Sequence, residues 1–273
     1  MSGLRTWIGG VGVLGPGLSD WAQARETLSR PGTYQARATE LPVPLRLPPA
    51  ERRRAGAAVK LALAVADQAT HGARLELSRL ATVFTSSSGE GAICHQLCEA
   101  LAAPAPLVSP TRFTNSVHNA AAGCWHIAVS SRAASTSLCA FDASFAAGLL
   151  EAAVSVQLSG QPILLVASDS PYPAPLHATR ALPDHFGVAL LLEPAATART
   201  LASWSLELVG ASEPVDSCDD PQLELLRRTI PAAAALPLLT ALAGRARTVV
   251  LPGPGGRHLR VDCAPPPETG APT

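Results

Sequence analysis

The chain has 273 residues, 47% of them hydrophobic and only 15% charged, with 21 Lys and Arg balancing 21 Asp and Glu. A neutral chain without a basic stripe is not built to track nucleic acid, and its length suits one large domain or two small ones around a substantial core. So low a charged fraction leaves apolar surface for a partner to cover, which favours an oligomer.

The chain opens with "TWIGGVGVLGPGLSDWAQARETLSR". This reads as a β-rich run, a glycine turn and a helix capped by Ser19 or Asp20, with Trp21 and Leu28 on its apolar face. Gly10, Gly12 and Gly15 match the spacing G-x-G-x-x-G. Pro16 and Gly17 prolong the loop and "LPVPLRLPP" follows, so a glycine turn is expected there and not a dinucleotide site. Residues 51–71 read as one long Ala-rich helix that Arg52-Arg53-Arg54 opens with a solvated face. "LATVFTSSSGEG" is a buried strand running into a polar loop, and residues 92–102 make the next helix. The loop "SPTRFTNSVHN" leads to a helix whose small residues Ala120, Ala121, Ala122 and Gly123 allow close backbone approach.

"SLCAFDASFAAGLLEAAVSVQLSG" then gives a strand end, a sharp turn and a helix closed by Gly160. "PILLVASDSP" has the unbroken apolar run of a strand buried on both faces of a parallel sheet, and "FGVALLLEP" is another buried strand. Strands alternating with helices point to an α/β layered fold. Beyond residue 196 the pattern weakens into a strand in "LASWSLELVG", one or two helices over 221–242 and two strands about the Gly-Pro turn of "TVVLPGPGGRHLRVDC". The expected division is 1–195, a reduced remnant over 196–263 and a frayed tail over 264–273.

Six cysteines do not make a disulfide framework in a chain this long, and no secretory pattern precedes the first apolar run, so a cytoplasmic protein is expected. Cys94, His95 and Cys98 lack a fourth ligand nearby, so buried helix cysteines are expected there and no metal. The apolar runs break before the roughly 20 residues that a membrane span needs.

At a strand-to-helix elbow a reactive Cys or Ser meets the first free N–H groups of the helix, which stabilise a thiolate or an oxyanion. This elbow reads Phe141-Asp142-Ala143-Ser144-Phe145, and the nearest thiol, Cys139, lies on the strand side of the turn, where it is expected to be buried and inert.

"IGGVGVLGPG", "VFTSSSGEG", "FTNSVHNAAAG" and "ASFAAGLLEAAVSVQLSGQPILLVASDSP" stand in the order of the β-ketoacyl synthases of the thiolase-like superfamily. The resemblance covers about the first 195 residues. It implies thiolase-like α/β/α layers, the N-terminal half of a ketosynthase with a truncated C-terminal half. Counting back from Gly160, the family's nucleophile falls on Ala143. The second half of that family carries His-Gly-Thr and Asn-x-Gly-His motifs, and neither occurs here. Such a chain resembles a chain length factor, in particular the short forms of bacterial aryl polyene clusters, which pair with an active ketosynthase. That implies no catalytic residue, no cofactor and no metal, a heterodimer with a ketosynthase, contact with acyl carrier protein through the complex, and no nucleic-acid or membrane partner. Ser116, Val117, His118, Asn119 and Phe145 are then candidates for the seam or the acyl tunnel, although a helix-capping His118 and a core-packed Phe145 remain open. The residues also leave open an acyltransferase or hydrolase using Cys139 or Ser144 with His118 as base, and a free-standing acyl-binding module.

Overall fold

The computed structural model describes residues 3–244 and 247–266. Most of the expected tail, 267–273, lies outside the described residues. Eight strands form one mixed sheet: β1 Leu4–Leu14, β2 Ala81–Thr85, β3 Ser135–Leu138, β4 Ile163–Asp169, β5 Phe186–Glu193, β6 Ala202–Val209, β7 Thr248–Pro252 and β8 His258–Ala264. Their spatial order is β3-β2-β4-β5-β1-β6-β8-β7. Only the β2/β3 and β2/β4 pairs are parallel. β4 was expected in a parallel sheet, and its other edge pairs antiparallel with β5. The C-terminal strands β6, β8 and β7 continue the same sheet beyond β1.

The helices are α1 Trp21–Ser29, α2 Pro49–Arg54, α3 Ala57–Thr70, α4 Gly91–Ala102, α5 Pro110–Asn115, α6 Ala120–Ala128, α7 Ser144–Ser159, α8 Leu176–Thr179, α9 Pro221–Thr229 and α10 Leu236–Ala243. The sheet separates two cores, and strand alternation assigns residues to them. Ile163, Leu165 and Ala167 of β4 face a core with α7 and the 3-10 turn Pro231–Ala235, whereas Leu164 and Val166 face α3 and α6. Two helical layers on a central sheet give the α/β/α arrangement.

Local signals set the helix ends. Asp20 caps α1 by accepting from the N–H of Gln23, Asp220 caps α9 in the same way, and Gly160 closes α7 at φ +61°. The last of these is a position where a left-handed backbone calls for glycine.

Three expectations are corrected. The single helix over 51–71 is two helices, because the chain turns to extended backbone at Ala55 and α3 restarts at Gly56. A β-carbon at Gly56 would stand 2.6 Å from Glu90 Oε2, so a tertiary carboxylate occupies the space the continuous helix would need. Arg52 lies within α2 and is not a purely solvated residue, since its guanidinium donates to the carbonyls of Leu45 and Leu47. Gly10 and Gly12 lie inside β1 and not in a turn; a β-carbon on either would come within 2.0 Å of the Ala69 or Val65 carbonyl oxygen of α3. Their spacing of two puts both on the face that α3 covers, and so lets the helix backbone rest on the strand.

The apolar run through α7, together with the 3-10 turn before it, is long enough to cross a membrane. Phe145, Ala146, Leu149, Ala152, Ala153 and Val156 are instead packed into the core against the sheet, so the apolarity is that of a core helix.

Candidate functional site

The parallel strands β3, β2 and β4 end on one side of the sheet, where ligands of α/β folds are usually held. Two loops and the elbow converge there. Asp169 closes β4 and is buried at 2% exposure. Its carboxylate accepts from the Ser87 N–H and hydroxyl, both at 2.7 Å, from the Ser86 hydroxyl at 3.2 Å, and from the Ala232 N–H at 2.8 Å. Burial pushes this carboxyl above the usual range, and the same hydrogen bonds pull it back. One side chain thereby ties the loop after β2 to the C-terminal segment. Its only mark in the sequence is an acid ending an apolar strand.

On the other side of that loop Glu90 is 5% exposed, and its carboxyl is pushed up to about 7 by burial, against the pull of the Ala58 and Val59 N–H groups at the start of α3. Its Oε2 has no hydrogen-bond partner. Glu90 and His118 line a small, partly open cavity of about 20 Å³ with Val59, Phe84, Ser86 and Ala121. The Nε2 of His118 lies 3.2 Å from the Ser86 carbonyl and so acts as the donor.

At the elbow, Ala143 is the N-cap of α7 and lies at the position counted as that of the nucleophile. Its methyl group offers no chemistry. Ser144 is 1% exposed, and its hydroxyl is committed to the turn, accepting from the Ala140 N–H at 3.0 Å and donating to the Phe141 carbonyl at 2.7 Å. Cys139 corrects the expectation of a buried strand thiol. It lies one residue beyond β3, is exposed, and donates its S–H to the Ser87 carbonyl at 3.2 Å. Among the described residues no hydrogen bond joins Cys139 or Ser144 to His118. Cys94 and Cys98, expected to be buried, are exposed on α4, where only Leu97 is buried. The described residues contain no cluster of three or more His, Cys, Asp or Glu side chains suited to a metal.

Residues 20–251 match the family described as "Beta-ketoacyl synthase, N-terminal domain", which accounts for most of the chain. The chain belongs to the β-ketoacyl synthase family. Among solved structures, it is similar at 23% identity and a TM-score of 0.72 to one chain of the complex between the ketosynthase ApeO and its chain length factor ApeC from Xenorhabdus doucetiae, covering 94% of this chain and 99% of that one. The ishigamide ketosynthase/chain length factor matches at 17% identity and a TM-score of 0.70, covering 96% and 99%. A β-ketoacyl synthase from Burkholderia phymatum matches at 12% identity and 0.64, covering 97% and 100%. At these identities the likeness is one of fold. No curated protein matches the sequence.

In this ketosynthase-like chain the remaining candidates separate by exposure. Phe145, in the first turn of α7, is 1% exposed and packed into the core, which is the packing role left open above. Val117, His118 and Asn119 are exposed ahead of α6, and Ser116 is half-buried. The aromatic ring that the elbow does present is Phe141, 60% exposed, with the Arg180 guanidinium 3.9 Å from its centroid. Neither Phe141 nor Arg180 stands out as a site residue in the sequence, since they are 39 positions apart and no local pattern links them.

Proposed function

We propose that the chain is a non-catalytic subunit, a chain length factor that pairs with an active ketosynthase and shapes the acyl or polyene tunnel. The observation that carries this is the elbow. Ala143 stands where the family's nucleophile falls, while the hydroxyl and thiol on either side of it are held by backbone partners. A decarboxylative condensation needs a covalent acyl thioester and an oxyanion site, and a chain that lacks the first contributes shape.

The surface supports a partner. β3 ends the sheet with one edge unpaired among the described residues, and Leu101, Leu107, Phe113, Val117, Ile127 and Phe141 are exposed within the stretch 101–141. An open strand edge and exposed apolar side chains are both features that proteins normally cover. The reading therefore includes an obligate heterodimer burying at least roughly 2,000 Å², with the strand segment 135–140 that leads into the elbow, and the residues Ser116 to Asn119, near the seam. Residues 196–263 are the reduced counterpart of the family's second half, acyl carrier protein meets the chain through the complex, and the assembly works in the cytoplasm.

The test is co-expression with the cognate ketosynthase, followed by size-exclusion chromatography and product analysis. A stable heterodimer whose product length changes when this chain is omitted is expected. A soluble monomer that ignores the ketosynthase, with product length the same with and without it, defeats the reading. So does acyl transfer onto Cys139, read by intact mass after incubation with acyl carrier thioesters.

A further inference from the structure

Phe141 breaks two ordinary rules at once. Its φ of +52° is in the left-handed region, which bulky side chains avoid, and its ring is 60% exposed. Strain of this kind persists only where the surroundings over-determine it, and here they do. The Ser144 hydroxyl donates to the Phe141 carbonyl at 2.7 Å, and the Ala143 N–H donates to the Ala140 carbonyl at 3.0 Å, which fixes the turn. Arg180, reaching over from the loop after β4, stacks its guanidinium on the ring at 3.9 Å and pairs with the carboxylate of Asp142. One face of the ring is thus held by a cation that is itself held by an acid, and the ring points outward in a single orientation. It does so three residues past the end of β3, the open edge of the sheet.

Resting on the subunit reading above, we infer that Phe141 and Arg180 form a preorganised anchor that inserts into an apolar slot on the partner ketosynthase. Interface energy concentrates in a few aromatic and Arg side chains, and a ring already fixed on its own chain loses little freedom on binding. The same geometry argues against a ring that lines the acyl lumen. The Arg180–Asp142 pair lies against it, and a charged pair is costly beside an apolar chain but ordinary near the rim of a protein interface.

The experiment measures the dissociation constant of the heterodimer for the wild-type chain and for Phe141→Ala, Phe141→Leu and Arg180→Ala, with thermal melts of each full chain as the folding control and product length read from the same complexes. Phe141→Ala should weaken assembly by about 30-fold or more, Phe141→Leu by less, and Arg180→Ala by about tenfold, with melts that show folded chains. Wild-type affinity in Phe141→Ala overturns the anchor while leaving the subunit reading intact, and so does a change of product length at unchanged affinity, which would place the ring against the acyl chain. A wild-type chain that does not bind the ketosynthase defeats both.

Discussion

Replacing Glu90 by Gln tests how the loop after β2 is held against α3. The Glu90 carboxyl is buried, faces the start of α3 and is pushed from 4.5 up to about 7. Because the folded-state value lies above the unfolded one, the folded chain keeps a proton that the unfolded chain has already released between pH 4.5 and 7. Its contribution is therefore complete below the unfolded value and is lost as pH rises through the folded one. Integrated from pH 5 to pH 8, the loss is about 2–3 kcal/mol, a large share of the ~5–15 kcal/mol that stabilises a domain. Gln has the same shape and no charge to desolvate. The difference in unfolding free energy between Glu90→Gln and wild type, from urea titrations at pH 5, 6, 7 and 8, should shift in favour of the variant by about 2–3 kcal/mol over that range. Taking the difference cancels the other raised carboxyls, Asp67, Asp169 and Glu193. His118 on the same cavity is removed by repeating the pair in a His118→Gln background. A difference that stays flat from pH 5 to pH 8 would refute the reasoning, because a carboxylate that costs nothing to bury must be solvated or paired.

Gly12→Ala should destabilise the fold by about 3 kcal/mol or prevent folding, since its β-carbon would meet the Val65 carbonyl oxygen of α3 at 2.0 Å; an unchanged melting temperature would show that α3 does not rest on β1. Both Phe141→Gly and Phe141→Ala remove the ring, so their difference isolates the backbone at φ +52°, and the Gly chain should be the more stable by about 1 kcal/mol in denaturant titrations. Equal stability would mean that the turn is not left-handed in solution. Iodoacetamide near pH 8 should label the exposed Cys94, Cys98 and Cys139 while sparing Cys124, Cys218 and Cys263, whose thiols burial pushes up to about 11, 12 and 12. Peptide mapping reads this directly. Cys139→Ala should leave the reconstituted pair as active as wild type, and a loss of activity would revive the thiol as a nucleophile.

The sequence by itself determined what depends on near neighbours along the chain. Asp20 and Gly160 mark helix ends because capping is a contact within one turn, and the apolar runs of β4 and β5 mark buried strands because burial on both faces leaves no polar alternation. The continuous helix from the elbow to Gly160 was legible too, and the count along it is what puts the proposed nucleophile position at Ala143. Tertiary structure decided what depends on elements far apart in the chain. Gly10 and Gly12 read as a turn until α3 is laid across them, and residues 51–71 read as one helix until Glu90 is placed at Gly56. Periodicity reports which face of an element is apolar and not which element covers it, so the exposure of Cys94, Cys98 and Cys139 followed from a β3 edge and an α4 face that nothing among the described residues packs over. Asp169 with Ser87 and Ala232, and Phe141 with Arg180, likewise became pairs only when the chain folded, because a hydrogen bond or a stacked cation depends on distance in space and leaves no period in the sequence.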